Sequence, residues 1–382
     1  GAPVSIIIVF GVLFVLASIM LIRDLGSAYG FKPFGFIERA FAELGISSSN
    51  SQNITAQVYR STYDENGKKT KATSFFQDSF ERCQVINPNN KSNPVRTVGA
   101  LGGYGSNGKQ LESKGGMNNG IGLGGFQDVI NFIKGGSSSG DLGMSYIIAM
   151  ATSPGETGGA VDYIVAANEA NLLPIVRLCY PGNCGFNSVE SIINFYTGIA
   201  TDSRILGTDN EFIAILGPNE PGTAGEAESF MGSLNYPLLV QWANQAAESL
   251  QQYRVSGGGN MWLAPAAFNI TNTGNDDVGA YLSGSPAINP DFFDYLLGNT
   301  YNVSGNPADH YYKETAEKRP ISMRQYAEDH NLLTIITEFG FFNDENESIG
   351  DQLYKVDAAY KSLCNDETVD GILFFRPFYS EL

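Results

Sequence analysis

The chain has 382 residues, 43% of them hydrophobic and 12% aromatic, enough apolar sequence for one large α/β domain with an extension. Its net charge of −17 excludes a phosphate-binding, nucleic-acid partner, which needs a basic face. Two histidines, four cysteines and no Cys-x-x-Cys pair argue against a structural zinc site, and no sequence feature calls for any other cofactor.

Residues 4–22, VSIIIVFGVLFVLASIMLI, run 19 residues without a charge. That is close to the ~20 needed to cross a bilayer and longer than a signal-peptide core of about 7–15. A retained, single-pass transmembrane helix is expected. FKPFGFIERAFAELG (31–45) gathers its apolar residues on one face, either as an interfacial helix or as one packed on the globular part. SSSNSQN (47–53) reads as a linker. The expected division is therefore a transmembrane helix (1–24), a juxtamembrane helix and linker (25–53) and a globular part (54–382). Arg23, Lys32 and Arg39 would hold the C-terminal side in the cytoplasm. Disulfide-capable cysteines favour export instead, and an extracytoplasmic globular domain is expected.

In 54–86, two alternating runs flank Asp-Glu-Asn-Gly, which predicts a β-hairpin ahead of the main fold. From residue 97 apolar strands alternate with amphipathic helices. Strands are expected at 96–105, 144–151, 172–180, 211–221, 261–269, ending at 307–312, 332–342 and 369–379. Helices are expected at 124–136, 160–171, 188–200, 236–254, 291–299, 321–331 and 351–364. Eight strands separated by seven helices predict a (β/α)₈ TIM barrel. GGYGSNG and GIGLGG lack the spacing and context of a dinucleotide loop and read as loop glycines. No eighth helix follows the last strand. Either the chain continues beyond Leu382, or residues 31–45, residues 72–86 or a protein partner cover that groove.

CYPGNC places Cys179 and Cys184 around a Pro-Gly turn. The four cysteines are either buried free thiols or form one or two disulfides. Asn-x-Ser/Thr sequons stand at Asn53, Asn90, Asn269, Asn302 and Asn346. The acidic stretches 272–277 and 343–348 lack the spacing of a calcium loop.

Two strands end on a carboxylate: EFIAILGPNEP at Glu220 and LLTIITEFGFF at Glu338. The C-terminal ends of barrel strands form one mouth, so both glutamates are expected to face it. Paired carboxylates suit glycoside hydrolysis, one protonating the leaving oxygen and the other attacking the anomeric carbon. GPNEP at strand four and TEFG at strand seven resemble the paired signature of glycoside hydrolase clan A, the retaining (β/α)₈ glycosidases, over residues 97–379.

The resemblance implies Glu220 as acid/base, Glu338 as nucleophile and Asn219 as a contact to the sugar 2-hydroxyl. It places His310 and Tyr312 of DHYY at the end of strand six, with the tyrosine touching the nucleophile. Arg177 is the candidate arginine near the nucleophile, although it falls on strand three where the clan uses strand two. The clan's strand-eight tryptophan is replaced by Phe375, Arg376 and Phe378. Arg376, Tyr180, Tyr104, Phe341 and Phe342 are the remaining candidates for sugar contact. The implied activity is a retaining, membrane-anchored glycosidase or transglycosylase acting on extracytoplasmic β-linked glycans. The alternative is a non-catalytic glycosidase-like scaffold, a sugar-binding subunit of a membrane or filament assembly.

Overall fold

The computed structural model describes residues 62–63, 69–70, 114–118, 120, 122–134, 144–179, 184–223, 225–271, 275–301, 306–312, 322–340 and 358–375. The chain divides into two compact units, Gly1–Ser51 and Gln52–Leu382, and every described residue belongs to the second. The expected membrane helix (4–22), the helix at 31–45 and the linker lie outside the described residues. Among the described residues no helix is long and apolar enough to cross a membrane.

β1 (Thr62–Tyr63) and β2 (Lys69–Thr70) pair antiparallel on either side of the Asp-Glu-Asn-Gly stretch, as the turn chemistry predicts. The main sheet is parallel throughout. It comprises β3 (Gly115–Asn118), β4 (Tyr146–Ala151), β5 (Leu173–Leu178), β6 (Phe212–Ile215), β7 (Met261–Ala264), β8 (Ala267–Asn269), β9 (Tyr295–Tyr301), β10 (Leu333–Gly340) and β11 (Val369–Phe375). The strand order is β7-β6-β5-β4-β3-β11-β10-β9-β8. The two edges, β7 and β8, are halves of one segment interrupted at Pro265–Ala266, so the sheet curls round until its ends meet. Proline cannot donate to the ladder, which places the break there. Across the break Asn219 bridges to Ala267, and Leu263 O accepts from Asp294 N. The result is a TIM-type barrel with eight strand positions.

Strands β4, β5, β6, β7 and β9 alternate in the side chains they turn inward. Tyr146 and Ile148, Leu173 and Ile175, Ile213 and Ile215, Trp262 and Ala264, and Tyr295 and Leu297 fill the barrel interior. Their neighbours Ile147, Val176, Ala214, Leu263 and Leu296 pack outward against the helices. Helices α1 (Phe126–Ile133), α2 (Thr157–Glu169), α3 (Val189–Ala200), α4 (Glu226–Met231), α5 (Tyr236–Leu250), α6 (Asp277–Leu282), α7 (Pro307–Tyr312) and α8 (Met323–Asp329), with a further helix at 358–364, account for the described helical residues. α3 opens with a capping box of Ser188 and Ser191, which satisfies orphan N–H groups in its first turn. At the N-terminal end of the barrel Arg254 pairs with buried Asp294 at 2.5 Å, and Trp262 Nε1 donates to Glu211.

Three expected elements are corrected. The first barrel strand among the described residues is Gly115–Asn118, not 96–105, which lies outside them. A Cβ on Gly116 would come within 2.6 Å of Tyr146 Cβ and 2.9 Å of Leu373 Cγ, so the close strand approach requires glycine. The glycines that permit the strand also erase the apolar alternation that would announce it. Residues 295–301 form a strand where 291–299 suggested a helix, because a short apolar run buried on both faces fits either period. Residues 307–312 then form helix α7, not the end of a strand.

Candidate active site

Alternation delivers four polar side chains to the C-terminal mouth of the barrel. Arg177 continues the inward series Leu173, Ile175. Asn299 and Tyr301 continue Tyr295, Leu297, and Asn118 ends β3.

Glu338 arrives by breaking the pattern. β10 points Leu333 and Ile335 inward and Ile336 outward, so simple alternation would turn Glu338 away from the mouth. A register shift against β9 falls between Ile336 and Glu338, and Phe339 is again in the outer layer. The bulge makes Thr337 and Glu338 both face inward. Thr337 Oγ1 donates to Asn299 Oδ1 at 2.7 Å, and Thr337 O accepts from Asn118 Nδ2 at 3.0 Å.

Glu220 is held in left-handed backbone, φ +40°, by its N–H donating to Ala267 O at 2.6 Å. A non-glycine residue there stores about 1–3 kcal/mol of strain, a cost typical of functional positions.

Both carboxylates are buried. Glu338 Oε1 accepts from Arg177 Nη1 at 2.6 Å and from Asn118 Nδ2 at 3.4 Å, and Oε2 accepts from the Tyr301 hydroxyl. Glu220 Oε1 accepts from Asn299 Nδ2 at 3.1 Å and Oε2 from Thr223 Oγ1 at 3.0 Å. Burial, and then the negative charge of Glu338, push the Glu220 carboxyl up to about 8, against the opposing hydrogen bonds of Asn299 and Thr223. The Tyr301 phenol is pushed well above its ordinary value, by burial first and then by Glu338 and Glu220, so it stays a neutral donor.

A third carboxylate, Glu226 at the start of α4, is pushed up to about 7 by burial, while Arg177 and Asn219 oppose the shift. Asp277 joins the loops that carry the site. It accepts from Gly222 N, the Tyr236 hydroxyl and Asn269 N, at 2.7, 2.6 and 2.8 Å.

Of the residues expected from sequence, Arg177, Asn219, Glu220 and Glu338 meet in this mouth. His310 and Tyr312 do not end a strand. They lie on α7, where the Tyr312 hydroxyl donates to Ser362 O on the helix at 358–364. Tyr301, at the true end of the sixth strand position, makes the tyrosine contact to Glu338 that the resemblance assigns to Tyr312. Tyr104, Tyr180, Phe341, Phe342, Arg376 and Phe378 lie outside the described residues. Trp242 sits on α5 against Phe230, and Trp262 is deep in the barrel, so neither is at the mouth. Phe375, ending β11, packs edge-on to Tyr301 with ring centroids 6.0 Å apart.

Sequence reasoning missed Asn118, Thr223, Glu226, Asp277, Asn299 and Tyr301. Inward alternation in YLLGNTY would have found Asn299 and Tyr301, but Glu226 carries no local signal. Cys179 and Cys184 are bridged, closing the loop that follows Arg177, and Cys364 is also disulfide-bonded. The Asn269 sequon is buried, its Nδ2 donating to Thr223 Oγ1, which closes it to glycosylation in the folded chain. Among the described residues no group of three or more His, Cys, Asp or Glu is placed to hold a metal ion.

No family model matches the chain, and no curated protein matches its sequence. Solved structures are similar at low identity. The mannanase catalytic domain of Streptomyces sp. SirexAA-E is 14% identical over 76% of this chain and 83% of its own, with TM-score 0.44. The GH26 endo-β-1,4-mannanase catalytic domain of Bacillus sp. JAMB-750 is 11% identical over 87% and 83%, with TM-score 0.40. A modular endo-β-1,4-mannanase of Cellulomonas fimi is 13% identical over 60% of this chain, with TM-score 0.40, and the alignment spans only 57% of that enzyme. The case for function therefore stands on the carboxylates and their partners.

Proposed function

We propose that the chain is a retaining glycoside hydrolase or transglycosylase acting on β-linked glycans, with Glu338 as nucleophile and Glu220 as acid/base. The observation that carries this reading is the unlike surroundings of two neighbouring carboxylates. Glu338 is paired with a buried guanidinium, while Glu220 is held protonated near neutral pH.

In the first step a Glu338 oxygen bonds to the anomeric carbon as the glycosidic C–O bond breaks, and Glu220 gives its proton to the leaving oxygen. Esterification removes the charge of Glu338, which is the second-largest influence raising Glu220. Glu220 then becomes a stronger acid and remains as a carboxylate. In the second step it takes a proton from water, or from an acceptor sugar hydroxyl, whose oxygen displaces Glu338 from the anomeric carbon. Arg177 and the Tyr301 hydroxyl steady the Glu338 oxygens, and Asn219 is the proposed contact to a sugar hydroxyl. Tyr180 and Arg376, which follow β5 and β11 in sequence, are proposed further contacts. Bridged cysteines support an oxidising, extracytoplasmic setting, and residues 4–22 are proposed as the membrane anchor.

The test is hydrolysis of a panel of aryl β-glycosides by the wild type and Glu338→Ala. The variant is expected to lose at least about 10³-fold in kcat, with azide restoring turnover and giving an inverted glycosyl azide. Full activity of Glu338→Ala, or no turnover by the wild type across the panel, overturns the assignment; the second result favours the scaffold reading.

A further inference from the structure

Glu226 has no part in the two-carboxylate mechanism, yet it lies in the same mouth. It faces Asn219 on the loop after β6, Arg177 on β5 and Glu338 on β10, and both of these charges influence it. Its Oε1 accepts from Asn219 Nδ2 at 3.4 Å. From there a chain of hydrogen bonds runs through the site. Asn219 Oδ1 accepts from Asn299 Nδ2 at 2.9 Å, the same Nδ2 donates to Glu220 Oε1 at 3.1 Å, and Asn299 Oδ1 accepts from Thr337 Oγ1 at 2.7 Å.

The direction of this chain is not fixed by the amides themselves, since each can turn end for end and exchange its donor for its acceptor. Unlike a glutamine, which could turn either end to Asn219, the ionised Glu226 carboxylate present above about pH 7 can only accept. It forces Asn219 to present nitrogen to Glu226 and oxygen to Asn299, and Asn299 must then present nitrogen to both Asn219 and Glu220.

We propose that Glu226 is a positioning residue that fixes the orientation of the Asn219 and Asn299 amides and so keeps an N–H of Asn299 on the acid/base Glu220. The acid/base role of Glu220 belongs to the function proposed above, and the inference rests on that reading only for its catalytic consequence. The groups that face Glu220 are Glu338, Asp277, Asn299 and Thr223, and Tyr301 is also within electrostatic reach. The route from Glu226 to Glu220 that the geometry supplies runs through the Asn219 and Asn299 amides.

The sign separates this route from a direct charge effect. The Asn299 hydrogen bond favours ionised Glu220, so loosening it raises the pH at which Glu220 ionises. Removing a nearby negative charge by Glu226→Gln would, acting directly, lower it. The full chain labelled with carboxyl-¹³C glutamate is titrated by NMR as wild type, E226Q, N219A and N219A/E226Q, with E220Q assigning the Glu220 signal. The same proteins are assayed for kcat/KM against pH on an aryl β-glycoside.

E226Q is expected to move the Glu220 midpoint up by about half a unit to one unit, with the alkaline limb of kcat/KM following it. N219A is expected to abolish the further effect of E226Q. A downward or absent shift in E226Q, or a shift of equal size in the N219A background, overturns the proposal. The NMR titration needs no substrate. Failure of the glycosidase reading would therefore remove only the kinetic limb and leave the midpoint shift to be read.

Discussion

Replacing Glu220 by glutamine isolates the thermodynamic consequence of keeping a protonated carboxyl group in the mouth. Glutamine has nearly the same shape, can accept from Asn299 through its amide oxygen while its amide nitrogen donates to the Thr223 hydroxyl, and never ionises. The wild-type carboxyl titrates at about 8 when folded, against an ordinary value of 4.5. The sign follows from proton binding. The folded state holds its proton more tightly than the unfolded chain, so this group's contribution is full below about 4.5 and is lost as the pH rises through about 8. Between pH 5 and pH 7 the wild type loses roughly 2–3 kcal/mol from this residue alone.

E220Q escapes that loss, so its stability relative to wild type should improve by the same amount, roughly 2–3 kcal/mol, over that interval. For a barrel of this size the change is about 4 °C in Tm. Thermal and urea unfolding of both proteins at pH 5, 6, 7 and 8 measures it. Curves that stay parallel across this range would refute the claim that Glu220 is held protonated, whatever the enzyme assays show.

Two further outcomes follow from the same geometry. Because the acid must be protonated before it can donate, kcat/KM of the wild type should fall as pH rises through about 8, and a rate plateau extending to pH 9.5 would contradict the assignment of Glu220. Gly116→Ala places a methyl group between Tyr146 and Leu373 at the first strand crossing, so it should destabilise the barrel by about 1–3 kcal/mol or more in urea unfolding.

The barrel was legible wherever apolar periodicity survives. β4, β5, β10 and β11, together with α2, α3, α5 and α8, stand where their patterns put them, while β6 starts as expected but ends at Ile215, which leaves Glu220 in the loop beyond it and not at the end of a strand. β3 was hidden because close packing at Gly116 demands the residue that carries no pattern. β9 was hidden because YLLGNTY is buried on both faces, where the two- and 3.6-residue periods cannot be told apart over seven residues. That one misreading displaced the expected tyrosine from Tyr301 to Tyr312, since whichever segment is taken as the sixth strand names the residue at its end. The disulfide of CYPGNC rests in the sequence on spacing alone, which leaves it open until the structure joins Cys179 to Cys184. Glu226 and Asp277 reach the mouth through loops whose paths no local pattern specifies.

The two principal carboxylates share a further property: neither is placed by regular strand backbone. Glu338 faces the mouth because the bulge at Thr337 shifts the parity of β10, and Glu220 stands in the loop after β6 on backbone of positive φ. Neither departure stabilises the barrel by itself. A regular β10 would turn Glu338 outward into the helix layer, away from Arg177, and leave the guanidinium buried without its carboxylate, which is strongly unfavourable. The bulge and the ion pair therefore require one another. The same mouth concentrates Glu220 and Glu226, both raised by burial, beside Asp277, raised for the same reason. All three shifts have one sign, so all three make the fold more stable as pH falls from about 8 toward 5. Raised carboxyls gathered in one mouth, together with strained and bulged backbone, are features that perturbed functional sites share, and they support the proposed acid/base role of Glu220.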